Sequence, residues 1–277
     1  MIWLALSVIV VAAAYRWMES ASNRRGLINR RSGHLHPLNL CLGEARAAQA
    51  LGVRIFEHSA ALEIRHGARP QVLTAQGRVT ADAVVLAGNA YLGLERKRLS
   101  GQVFPAGSYM IATEPLPPGV RDRINPRDLA VCDSNEILDY FRLTADGRLL
   151  YGGRCNYSGR DPVRIADSIR PRMLRIYPAL ANMRIDFEWG GALGIVLNRI
   201  PVMGRIEGNV YYCLGYSGHG LNASHIMAEV MADAIGGTLE TFDLFARIRH
   251  LRIPGSQRLG NRLVALGMLW YRLRDLL

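Results

Sequence analysis

The sequence predicts a mixed α/β (α+β) fold, a domain of helices and strands interrupted by a second domain built on an antiparallel sheet. Three observations predict it. Ala83-Val84-Val85-Leu86-Ala87 is a continuous apolar run ending in Gly88-Asn89, as expected of a strand buried on both faces. Between residues 101 and 199 strand-like pieces recur with turns between them, the pattern of an antiparallel sheet. Val210-Tyr211-Tyr212-Cys213-Leu214 then leads through a glycine-rich turn, residues 215–222, into an amphipathic helix.

Taken from the start, residues 2–14 are apolar or small, broken only by Ser7. That run is shorter than the ~20 residues needed to span a bilayer, and no positive side chain precedes it as in a secretory signal. Arg16, Arg24 and Arg25 follow it, and Trp17 suits a membrane interface. Three readings stay open: a short membrane contact, a buried helix, or a start produced by a truncated or shifted coding region. Residues 37–51 predict a helix, with Pro37 in its first turn, Leu38, Leu42 and Ala45 on one stripe, and Gly52 as its stop. Val53-Arg54-Ile55-Phe56 predicts a strand. Val72-Leu73 and Arg78-Val79-Thr80 predict a hairpin around Gln76-Gly77. Within the second domain the strand-like pieces are 108–113, 137–143, 149–153 and 185–189, with one helix over 162–177. Residues 223–235 predict a helix stopped by Gly236-Gly237, and the apolar spacing over 259–276 predicts a last helix. The chain thus divides into an apolar segment, 1–25, a discontinuous domain, 26–100 with 200–237, an antiparallel-sheet domain, 101–199, and a helical tail, 238–277.

Net charge is +11, and of 34 basic residues only Lys97 is lysine. The arginines are scattered, with no basic run of five, so nucleic-acid binding is not the reading; the charge speaks to solubility and to an anionic ligand. Cys41, Cys132, Cys155 and Cys213 stand far apart without C-x-x-C spacing, which excludes a zinc finger pattern and predicts four buried, reduced thiols in a cytoplasmic protein. Membrane association through residues 2–14 is the alternative location. No metal site is expected.

The chemistry-bearing feature is the turn Gly215-Tyr216-Ser217-Gly218-His219-Gly220. Its three glycines let backbone pass close to a flat or anionic ligand, and the amides and positive dipole end of the following helix face the same place. Taken in order with residues 82–91 and the antiparallel middle domain, this turn resembles the FAD-dependent oxidoreductases of the D-amino-acid oxidase, glycine oxidase and sarcosine oxidase family. The resemblance runs from about residue 26 to the end. Residues 31–39 and 265–275 look closest to bacterial gamma-glutamylputrescine oxidoreductases.

The resemblance implies noncovalent FAD, because members with covalent flavin use a cysteine before the last strand, whereas Cys213 lies within it. It implies that Ala61, Leu86, Ala87 and Gly88 border the adenosine half of FAD, and that Gly218, His219, Gly220, Leu221 and Asn222 lie at the isoalloxazine. His34, His36, Tyr140, Trp189 and His219 become candidate lining residues, with His34, Tyr140, Trp189 and His219 carried as catalytic candidates. Hydride would pass from the carbon bearing a neutral amine to the flavin, and the imine would hydrolyse. The substrate is then a small-molecule amine. An arginine that clamps a free amino acid's carboxylate has no counterpart at Leu193 and Gly194, so an amine on a longer body fits better. Oxidase and dehydrogenase both stay open, since the sole lysine lies in another region. One departure stands out. No glycine triplet in the sequence has G-x-G-x-x-G spacing, so the expected pyrophosphate-binding unit is absent and the Rossmann-like FAD-binding domain is incomplete. The expectation is weak or no FAD binding by this chain alone, and a truncated or silent homologue, or one served by a companion chain, is the alternative.

Overall fold

The structure, a computed structural model, describes residues 28–133, 135, 138–156 and 161–253. The predicted run at 2–14 and the predicted helix at 259–276 lie outside the described residues.

Helix α1 (Pro37–Ala50) starts under the side chain of His36, which accepts the Asn39 amide. A small antiparallel sheet follows, β1 (Glu63–Arg65), β2 (Gln71–Leu73) and β3 (Arg78–Thr80), in that order. Strand β4 (Val84–Leu86) then runs, through a 3-10 turn at Asn89–Tyr91 and the short α2 (Arg96–Leu99), into the twelve-residue β5 (Phe104–Pro115). Beyond it come α3 (Pro118–Ile124), β6 (Val131–Cys132), β7 (Tyr140–Leu143), β8 (Arg148–Asn156), α4 (Ile165–Ile176) and β9 (Ile185–Ile195). These strands form one antiparallel sheet of order β6-β7-β8-β5-β9. The chain closes with β10 (Val202–Ile206), β11 (Val210–Leu214), α5 (Gly220–Ile235) and α6 (Glu240–Ala246), and β11 lies between β10, antiparallel, and β4, parallel.

Helix α4 packs on one face of the five-stranded sheet because Ile169, Met173 and Ile176 form a single stripe that meets Tyr109, Ile111, Phe141, Leu149 and Tyr151. In the same way Met227, Val230, Met231 and Ala234 of α5 cover Met203, Tyr211 and Cys213 of the smaller sheet. On that sheet's other side Leu86, Val210 and Leu214 pack with Ile64 and Leu99.

Three expectations need correction. Residues 53–56 form no strand: Phe56 is 63% exposed, and the Val53 amide is spent on the Ala48 carbonyl, closing α1. A strand needs a partner edge, and none lies beside them among the described residues. β4 is buried on one face only, because Val85 is 45% exposed while Leu86 is buried. Cys41 and Cys132 are exposed rather than buried, and only Cys213 matches that expectation among the described thiols. Helix α1 buries no residue at all, so its apolar stripe, Leu38 and Leu42, stays open.

Candidate active site

β4 and β11 are parallel neighbours whose carboxyl ends lie side by side, the place where open α/β sheets hold ligands. Asn89, directly after β4, takes φ +45°, a left-handed conformation that asparagine tolerates. Its Oδ1 accepts the Gly215 amide at 2.8 Å. A Cβ at Gly194 of β9 would collide with that same Asn89 side chain, so glycine is needed there. Ser217 completes the junction. It is buried, its amide donates to the Gly194 carbonyl at 2.8 Å, and its Oγ accepts the Val196 amide at 3.0 Å. Three segments far apart in sequence, after β4, at the end of β9 and after β11, are thereby tied together.

Past this junction the turn opens outward. Gly218 has φ +91°, and a Cβ there would meet nothing within 4 Å. The His219 amide donates to the Tyr216 carbonyl, and α5 begins at Gly220, earlier than the residue 223 predicted. The first helical bond returns from Ala223 to His219, so the amides of Gly220, Leu221 and Asn222 have no intrahelical partner. Among the described residues no side chain caps them, and no acidic residue stands in that turn. The outcome is an uncapped positive helix end facing open space, suited to an electron-rich flat ring or an anion. Burial pushes the Cys213 thiol and, still more, the Tyr216 phenol upward, so both stay protonated at neutral pH beneath it.

The second surface is the face of the five-stranded sheet opposite α4. Tyr140, Gly152, Met110 and Trp189 form one cross-strand row there. Gly152 makes room for its neighbours, since a Cβ would strike both Met110 Sδ and the Tyr140 ring. The Tyr140 hydroxyl shares a 2.8 Å hydrogen bond with Ser108 Oγ, and Trp189 is 45% exposed on this face. Arg142, two residues along β7 and on the same face, donates to the Leu35 carbonyl and so holds the segment before α1 against the sheet edge.

The candidates sort accordingly. Ala87, Gly88 and residues 218–222 lie at the paired strand ends; Tyr140 and Trp189 share the open sheet face. Leu86 packs its side chain into the core and offers only backbone to a ligand. His219 stands exposed at the turn. His34 bonds the Asp128 carbonyl at 2.9 Å, and His36 is spent on capping α1, so neither is brought to the turn. Ala61 lies exposed three residues before Ile64, which packs beside Leu86. Asn89, Tyr91 and Ser217 stand within the stretches 82–91 and 215–220 that carry the resemblance, but the sequence assigns them no role, and it assigns none to Ser108. The Gly88-Asn89 pair is a turn signal, but its partner lies 126 residues away and no local pattern points to it.

Residues 8–234 match the family described as FAD dependent oxidoreductase. The chain belongs to that family. It is 41% identical over 260 residues to gamma-glutamylputrescine oxidoreductase of Escherichia coli (strain K12), covering 93% of this chain and 61% of that protein. Among solved structures it resembles glycine oxidase from Geobacillus kaustophilus, with TM-score 0.65, 21% identity, and coverage of 77% of this chain and 58% of that one. L-proline dehydrogenase from P. horikoshii shares the fold with TM-score 0.61 at 23% identity, over 72% and 55% of the two chains. The chain thus spans about three fifths of the length of the relatives it matches. The family is FAD-dependent.

Flavin fits one end of this site and not the other. The uncapped start of α5 and the open space at Gly218 suit an isoalloxazine ring. For the diphosphate, no G-x-G-x-x-G turn occurs in the sequence to supply a cradle.

Proposed function

We propose that this chain serves an FAD-dependent oxidoreductase that oxidises a C–N bond of an amine carried on a longer body, of the gamma-glutamylputrescine kind. The observation that carries the reading is the uncapped start of α5, open at Gly218 and pinned to the end of β4 by Asn89. Bound flavin would supply the acceptor for a hydride leaving the carbon that bears a neutral amine. In this reading, residues 26–100 with 200–237 hold the cofactor noncovalently and residues 101–199 cover the substrate. The amides of residues 220–222 stabilise negative charge on the ring's edge, with His219 beside it and Ala87 and Gly88 along its adenosine side. Tyr140, held by Ser108, and Trp189 orient the substrate's C–H bond and exclude water on the open sheet face. The buried, protonated Cys213 supports noncovalent binding.

A second reading, a silent chain or one that gains flavin only with a companion chain, is supported by two features. Among the described residues the outer edge of β4 has no strand partner, and α1 has no buried residue. Three free thiols support a cytoplasmic location, and among the described residues no helix is long and apolar enough to cross a membrane.

The test is titration of the purified chain with FAD, followed by flavin fluorescence quenching, then anaerobic addition of gamma-glutamylputrescine. Saturable quenching and amine-dependent bleaching are expected. Quenching only in the presence of a separately expressed dinucleotide-binding segment selects the second reading, and none in either case removes both. Sedimentation with lipid vesicles that is lost on deleting residues 2–14 would move the protein to the membrane.

A further inference from the structure

The open face of the five-stranded sheet continues past the row that holds Tyr140 and Trp189. Two residues along the strands, the register aligns Arg142 of β7, Leu150 of β8, Ala112 of β5 and Phe187 of β9. Alternation puts this second row on the same face, about 7 Å from the first. Its direction is fixed by β9. The Ser217 amide binds that strand at the Gly194 carbonyl, so Trp189 comes next and Phe187 lies farther from the turn at residues 215–222. A molecule lying along the face with its reacting end toward the turn therefore extends over the second row.

That row suits an anionic end on an apolar body. Phe187 is 55% exposed and gives the face an apolar step. Arg142 is half-buried, and two main-chain carbonyls set its guanidinium: Nη1 donates to Leu143 at 3.1 Å and Nη2 to Leu35 at 3.2 Å. Carbonyl oxygens orient a guanidinium without neutralising it, and among the described residues nothing takes its remaining three N–H groups. Position, and not the want of a counter-ion, singles this arginine out. Arg148, on the same face, is spent on Asp146 and Asp186 and lies over the Phe187 ring. Arg170 also donates to two carbonyls, those of Ala181 and Met183, but it stands on α4, across the sheet.

We propose that Arg142 is the specificity-determining residue for the far end of the substrate, where its guanidinium receives a carboxylate that terminates the body carrying the amine. The amine end then lies at Tyr140 and Trp189, and the body between them crosses the sheet face beside Phe187. This rests on the reading of an amine on a longer body and gives that body its terminal group. It needs no flavin to be tested.

The full chain without flavin is titrated calorimetrically with 6-aminohexanoate and with 6-aminohexanamide, which differ only in the charged end. The acid should bind saturably on the order of millimolar, about tenfold more tightly than the amide, as a charge-assisted contact predicts. In Arg142→Gln the two ligands should bind alike, at the affinity the amide has for the wild type. Arg142→Lys, which keeps the charge and loses the fork, should retain a preference of about threefold for the acid. Arg205→Gln, at an exposed arginine on β10, should change neither affinity. Circular dichroism establishes that each variant is folded. Equal weakening of both ligands in Arg142→Gln would mark a purely structural hold on Leu35 and overturns the proposal. So does a preference for the acid that survives in Arg142→Gln, an acid that binds the wild type no better than the amide, or no saturable binding of the acid. FAD titrations of wild type and Arg142→Gln run in parallel and should agree. No FAD binding by either chain, with the wild type's preference for the acid intact and lost in Arg142→Gln, counts against the flavin reading and upholds this one.

Discussion

Replacing Asn89 with alanine tests the junction on which the candidate site rests. The substitution removes the acceptor of the Gly215 amide, a 2.8 Å bond in a partly buried setting, and leaving such a donor unpaired costs about 1–3 kcal/mol. It also places a β-carbon residue without asparagine's local hydrogen bonding at φ +45°, which adds about 1 kcal/mol. The expected loss is therefore about 2–4 kcal/mol. Urea unfolding followed by tryptophan fluorescence measures it, with an unchanged denaturant slope marking a stability effect rather than a change in the denatured state. Two further variants separate the contributions. Asn89→Gly relieves the backbone and keeps only the hydrogen-bond loss, whereas Asn89→Asp retains an acceptor and the tolerance of left-handed geometry. A loss under about 0.5 kcal/mol in Asn89→Ala, or wild-type stability in Asn89→Gly, would refute the claim that this side chain binds the strand ends together.

Arg172→Met should cost about 3 kcal/mol, because it strips the partner from the buried Asp139 carboxylate, whose two oxygens receive Arg172 Nε at 2.7 and 2.8 Å. Adding Asp139→Asn in the same chain should recover more than half of that in denaturation experiments. His225 donates from one ring nitrogen to Glu44 and from the other to the Leu221 carbonyl, an arrangement that requires the imidazolium and holds its pKa above the usual 6.5. The pair's contribution is therefore present below 6.5 and is lost as pH rises through the raised folded value. NMR titration should show the elevated pKa falling back in Glu44→Gln, and α1 amides should exchange faster as pH rises through it. Gly152→Ala should cost about 1–3 kcal/mol by driving Met110 and Tyr140 apart and breaking the bond to Ser108, measured by thermal or urea unfolding.

Periodicity made the helices legible: α1, α4 and α5 end within one residue of the expected positions, because each carries a stop or stripe in its own residues. Strands were legible where strand-like pieces recur between turn signals, as in β5 and β8. They were misjudged where a partner decides. Residues 53–56 have strand-like chemistry but no neighbouring edge among the described residues, whereas β9 extends six residues past Trp189 to Ile195, through glycines that no propensity favours. Those glycines are explained only by what lies over them, the Tyr109 ring at Gly190 and the Asn89 side chain at Gly194. The same holds for the candidate site. Residues 215–222 announced themselves by glycine spacing, but the hold of Asn89 on Gly215 and of Ser217 on Gly194 and Val196 became visible only when distant segments met.

The parallel pair of β4 and β11 also dictates an order of events during synthesis. Asn89 leaves the ribosome 126 residues ahead of the amide it must hold. At about 5–20 residues per second, that separation is a wait of roughly 6–25 s. Throughout it the five-stranded sheet, all of whose strands precede β10, is free to form first, while β4 is still an unclaimed apolar strand. Holdase chaperones that recognise such strands would therefore find this nascent chain at a defined length, and release would coincide with emergence of β11.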